Sequence, residues 1–152
     1  MANYSVDLQR TASTTASVGV LNSEATLGAA RRMKVYDITF GSEATPADAA
    51  ILWKVQRCTL AGTSTAVVIA LLDLADGIAQ SEAGENHTIE PTYTADTHLI
   101  HLALNQRATY RWVAAPGGEL VTPATDENGV GVQTDTISSG TPVVTCQMHY
   151  SE

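Results

Sequence analysis

The chain has 152 residues, with 8 Lys+Arg against 16 Asp+Glu, a formal net charge of −8, and 44% hydrophobic residues. The length fits one domain with a real core, and the apolar fraction is too high for a disordered chain. The negative charge excludes a surface built to neutralise phosphates, so no nucleic-acid partner is expected.

Residues 1–30 are rich in Ser, Thr, Ala and Gly. Ser5–Leu8 and Ser17–Leu21 are short strand candidates, but the composition predicts an extended N-terminal arm over residues 1–30 that orders only against a neighbour. The arm has no basic start followed by an apolar run, so no secretory signal is read there. The folded domain is expected over residues 31–152. Met33–Phe40 alternates and carries β-branched and aromatic residues, which predicts a strand. Thr45-Pro46-Ala47-Asp48-Ala49-Ala50 predicts a short helical turn, with Thr45 as cap and Pro46 at the first position. Ile51–Leu60 alternates again, with Ile51, Trp53 and Val55 on one face. Thr65–Leu72 is a continuous apolar run and predicts a buried strand. Its longest wholly apolar part, Ala66–Leu72, is far short of the roughly 20 residues a spanning helix needs. No membrane partner is expected.

Asp73–Gln80 suggests a turn or short helix, and Ser81–Asn86 a polar loop. His87–Glu90 is a strand stub before Pro91. Thr97–Leu104 predicts a strand with Ile100, Leu102 and Leu104 facing one way. Arg107–Ala115 predicts another, with Tyr110 and Trp112 core-facing and Arg107 and Arg111 outside. Pro116-Gly117-Gly118 breaks the chain. Strands are expected over Gly131–Thr136 and Val143–Tyr150. About eight strands between turn signals, with no long helical period, predict an all-β fold, an antiparallel sandwich or barrel.

The candidate chemical groups are few. His98 and His101 are three apart, so on a regular strand they point to opposite faces and cannot share a metal unless a bulge intervenes. His87 and Glu90 lie beside Pro91 with no third ligand implied. No Gly-x-Ser-x-Gly elbow occurs, and the glycine pairs lack a nucleotide loop's pattern. Neither catalysis nor a cofactor or metal is expected. Cys58 and Cys146 have no Cys-x-x-Cys spacing; they are either buried thiols or a disulfide between adjacent strands. Residues 61–152 hold 2 of the basic and 11 of the acidic residues. The one basic cluster, Arg31, Arg32 and Lys34, is the candidate contact with an acidic protein surface.

The run Leu104–Leu120 (LNQRATYRWVAAPGGEL) and the upstream Glu43–Ala50, Trp53, Arg57 and Gly62–Thr65 resemble small structural proteins of tailed bacteriophages, over roughly residues 31–150. The resemblance is to jelly-roll capsid decoration (cement) proteins. It implies a β-sandwich of jelly-roll type on the outside of the head, made in the host cytoplasm. It implies the major capsid protein as partner and self-association, in many such proteins as trimers. No catalytic residues come with it. The alternatives are another virion module (head fibre or tail) and a receptor- or carbohydrate-binding sandwich using Tyr110, Trp112 or Trp53.

Overall fold

The computed structural model describes residues 1–24 and 28–152; residues 25–27, part of the expected arm, lie outside the described residues. Among the described residues the secondary structure elements are twelve β-strands. They are β1 (Asn3–Thr11), β2 (Ser17–Ser23), β3 (Lys34–Ala44), β4 (Ala50–Leu60), β5 (Thr63–Ala66) and β6 (Ala70–Leu71). They continue as β7 (Ser81–Ile89), β8 (Thr92–Asn105), β9 (Tyr110–Val113), β10 (Leu120–Val121), β11 (Gly129–Ile137) and β12 (Val143–Ser151). Two antiparallel sheets face each other. The first runs β6-β1-β12-β3, with β9 and β10 both on the far side of β3; the second runs β5-β7-β2-β11-β4-β8.

Set aside β5, β6 and β7, and the path is that of a jelly roll. The chain steps between sheets from β1 to β4, turns within the second sheet into β8, then steps again through β9/β10, β11 and β12. The two four-strand sheets, β1-β12-β3-β9/β10 and β2-β11-β4-β8, are those of two interlocked Greek keys. The segment 61–91 is an insertion between β4 and β8. It lays β7 against β2 in one sheet and β6 against β1 in the other.

That insertion overturns the N-terminal arm. β1 pairs along its whole length with β12, from Asn3↔Ser151 to Thr11↔Val143. All seven residues of β2 are buried. Without residues 61–91, β1 and β2 would be the edges of their sheets; with them, both are interior strands. The domain therefore starts at residue 3, not at 31.

Alternation fixes which side of each strand enters the core. Tyr4, Val6 and Leu8 of β1, Ile38 and Phe40 of β3, Ile51, Trp53 and Val55 of β4, and Val144, Cys146, Met148 and Tyr150 of β12 meet between the sheets. Trp53 is 1% exposed and tilts against Phe40 at 5.1 Å between centroids. Tyr4 stacks on Tyr150 at 5.4 Å, and the Tyr150 hydroxyl is hydrogen-bonded to Ser81.

Other expectations also shift. Residues 45–49 form no helical turn: Thr45 has φ +52° and Ala47 N–H donates to the buried Gln106 side chain, which holds the loop open. Ser81–Asn86 is not a loop but most of β7. Arg107 lies in a turn closed by Ala108 N–H to Asn105 O, so β9 begins only at Tyr110. The apolar run 65–72 is not a buried strand. Around Val67–Ile69 it crosses from one sheet to the other as a side wall. Val67, Ile69 and Leu71 pack on the core, while Val68 and Leu72 face out.

The second sheet also curls. Leu60 and Thr63 are three residues apart, a reach of about 10 Å. A flat sheet would separate β4 from β5 by four strand spacings, about 19 Å. The curl encloses a small second interior on the face away from the main core. Val20 and Cys58 are buried there, and Tyr93 lies across Gly131. A Cβ on Gly131 would sit 2.3 Å from the Tyr93 hydroxyl oxygen, so any side chain there must displace the Tyr93 ring.

Candidate functional site

Three polar clusters and one apolar surface are the candidate sites. The first cluster lies within the curl. Glu90 accepts hydrogen bonds from Ser17 N–H at 2.8 Å and Ser17 Oγ at 2.7 Å, and Arg10 Nη1 stands 3.7 Å from its other oxygen. The Tyr93 hydroxyl joins Ser17 Oγ at 2.7 Å. Burial pushes the Tyr93 phenol well above its ordinary value. His87 is 7% exposed, and neither ring nitrogen has a hydrogen-bond partner among the described residues. Sequence reading paired His87 with Glu90; the structure commits Glu90 to Ser17 and Arg10 instead. The cluster ties β1, β2 and β8 together and is a structural lock.

Desolvation holds the His87 pKa below its ordinary value, with the nearby Glu90 charge opposing. The unfolded chain, with His near 6.5, takes up this proton first. His87 therefore adds stability above about pH 6.5 that is lost as pH falls through that value toward the folded pKa. Urea unfolding at neutral and mildly acidic pH is expected to show this loss in the wild type. In His87→Leu the loss is smaller; an unchanged pH dependence contradicts the assignment.

The second cluster is on the outer face of the first sheet. Arg111 Nε donates to Asp37 Oδ1 at 2.9 Å, and His149 Nδ1 is 3.5 Å from Oδ2. The Arg111 hydrogen bonds hold the buried Asp37 carboxyl below the usual carboxylate range, against desolvation. Arg111 thus faces away from Tyr110 and Trp112, as the alternation predicts. Those two rings pair with Phe40 and Ile38 on the core side. Trp112 packs on the core and Trp53 is buried, which leaves only Tyr110, 41% exposed, of the proposed carbohydrate platform.

The third is His98 with His101. Val55 pairs with Ile100 and Gln56 with His98, which leaves Leu99 of β8 as the extra residue of a bulge. It turns both imidazoles to one face, stacked at 4.6 Å between centroids. Both are exposed. Among the described residues no group of three or more His, Cys, Asp or Glu gathers as metal ligands. Cys58 and Cys146 are separate buried thiols in different sheets, so they form no disulfide. Burial pushes the Cys58 thiol up to about 12, which leaves it unreactive at neutral pH.

The apolar surface is on the insertion. Val68 is 89% exposed, Leu72 50%, Leu74 90% and Ile78 78%. All four lie on one stretch of chain, residues 68–78, an apolar ridge that continues from the side wall past β6. The ridge is anchored from behind: Leu72 N–H donates to Asn3 O, and the Tyr4 hydroxyl donates to Gly77 O. Beside it lies a groove of about 520 Å³, walled by Val67, Ile69 and Ile78 and floored by Ala83 and Gly84. Its polar groups are Asn22, Thr63, Ser64, Ser81 and Glu82. The rim is acidic: Asp73 and Asp76 lie within the ridge, and residues 58–106 contain no Lys or Arg.

The sequence-predicted contact residues lie at the end of the sandwich that anchors the ridge. Lys34 is in register with Ser151, which is in register with Asn3, the residue that anchors Leu72. Arg31 and Arg32 are exposed just before it, and the Arg31 backbone is fixed to Ser23 Oγ. No protein-family model matches this chain. No curated protein matches it either. The ridge was missed by sequence reading because its continuous apolar run looked like a buried strand. The signal that marks it is an apolar run passing directly into Asp73 and Asp76 in a stretch without a single Lys or Arg.

Proposed function

We propose that this chain is a bacteriophage virion structural protein, a capsid decoration (cement) protein with no catalytic role. It binds the outside of the head and bridges neighbouring capsid subunits. The observation that carries the reading is the ridge. Four large apolar side chains stand exposed on a segment whose backbone is pinned to an interior strand. Exposed apolar patches rimmed by polar groups mark interaction sites. The groove beside them offers a pocket for an apolar anchor from the partner. Arg31, Arg32 and Lys34 at the same end add contacts to acidic groups on the capsid. A rigid sandwich presenting this end costs little ordering on binding, and many copies on one shell sum weak contacts. The jelly-roll path agrees with the resemblance in the residues 31–150.

The test is purification of intact heads through a density gradient. The protein is expected to travel with heads, in a fixed ratio to the major capsid protein. Recovery with tails or fibres would move it to another virion role, and recovery only as free protein would overturn the reading.

A further inference from the structure

We propose that β8 is a joint between two copies of this chain, which pair antiparallel across a two-fold axis and so join their second sheets. This goes beyond capsid attachment and involves a different surface. A sheet edge presents unpaired N–H and C=O groups, and proteins guard such edges by keeping them short or charged. The other edges here are short: β5 has 4 residues, β6 has 2, β9 has 4 and β10 has 2. β8 has 14 and is the outermost strand of its sheet. Its three register shifts and the left-handed Asp96 all lie before Ile100. From Ile100 to Asn105 it runs in unbroken register with Val55 to Ala50.

The composition of this stretch points to a second copy as the occupant. Residues 97–105 (THLIHLALN) contain no Asp, Glu, Lys, Arg, Pro or Gly. In a chain of net charge −8, this is a strand that can meet its own copy without like charges opposite one another. A charged partner strand would gain nothing from it. Antiparallel two-fold pairing about Leu102 sets Ile100 opposite Leu104 of the other copy. The core-side faces then continue across the joint. Leu99, Leu102 and Leu104, only partly buried in one copy, gain cover there. The interface is isologous and closes at two copies, because each chain has one such edge. It differs from the three-fold association that the resemblance implies.

Sedimentation equilibrium of the full chain is expected to give a mass of twice 16.0 kDa. Ala103 is exposed on β8. Ala103→Lys sets each ammonium opposite His101 of the other copy and diagonal to the second ammonium, within reach of it, and is expected to weaken the dimer at least tenfold. Ala103→Ser leaves it unchanged, and both keep the wild-type Tm at concentrations low enough that the wild type is itself monomeric. A second readout does not depend on affinity: Ala103→Cys is cross-linked to dimer by a short bismaleimide, while the buried Cys58 and Cys146 leave the wild type uncross-linked. A monomer at millimolar concentration, a trimer, or a dimer indifferent to Ala103→Lys overturns the proposal.

Discussion

Removal of residues 1–23 is expected to leave a chain that does not fold. The truncation takes away β1 and β2, each an interior strand. Val6, Leu8, Val18, Val20 and Leu21 are each at most 1% exposed. At about 1.5–3 kcal/mol per buried aliphatic side chain, their loss amounts to roughly 8–15 kcal/mol. That matches or exceeds the whole stability of a typical domain, about 5–15 kcal/mol. It would also leave β12 and β11 each without a partner on one side and expose the face of Met148 and Cys146. Circular dichroism and thermal unfolding of the truncated chain check this. A cooperative transition near the wild-type Tm would show that residues 1–23 are the dispensable arm that their composition suggests.

Why those residues read as an arm is a matter of packing. Gly19 lies where a Cβ would approach the Leu8 methyls and Gly84 O at 2.8–2.9 Å. At Gly84, a Cβ would meet the Ser64 side chain. Leu8 from the facing sheet crowds Gly19 and Ser64 from the neighbouring strand crowds Gly84, so these positions demand small residues, and small residues look like linker. β7 was hidden for the same reason, with Ser81, Ala83 and Gly84 giving it the texture of a loop. Where the sheet is open enough for large side chains, alternation is plain: Ile51, Trp53 and Val55 are inside, as are Ile38 and Phe40. The all-β sandwich was therefore readable from β3, β4, β8 and β12. The insertion that makes β1 and β2 interior was not, because strand pairing between distant segments leaves no local signal.

The surfaces used in the proposed function differ in how far the sequence marks them. Arg31, Arg32 and Lys34 were singled out by charge, and the structure puts them at the end of the molecule that carries the ridge. The ridge itself needed the fold. Periodicity shows that Val67, Ile69 and Leu71 share a face, but not that the opposite face, with Val68 and Leu72, is left uncovered. Likewise, the histidine spacing argued correctly for a regular strand, and the bulge in the β4–β8 pairing cancelled it.

The ridge carries the functional account, and its truncation has the second large expected effect. Val68, Leu74 and Ile78 are nearly free of intramolecular contact, so replacing all three by Ser changes stability by only about 0.5 kcal/mol at each site. On the capsid they would be buried anchors, and two anchors worth about 2 kcal/mol each correspond to roughly a thousandfold in affinity. Serine keeps the charge at −8, so a loss of binding cannot come from altered long-range repulsion. The decisive measurement is co-sedimentation of the Val68→Ser/Leu74→Ser/Ile78→Ser protein with heads that lack their own copy, beside the wild type. The triple variant is expected to keep the wild-type Tm and lose nearly all binding. Binding equal to that of the wild type would contradict the assignment of the ridge as the docking surface.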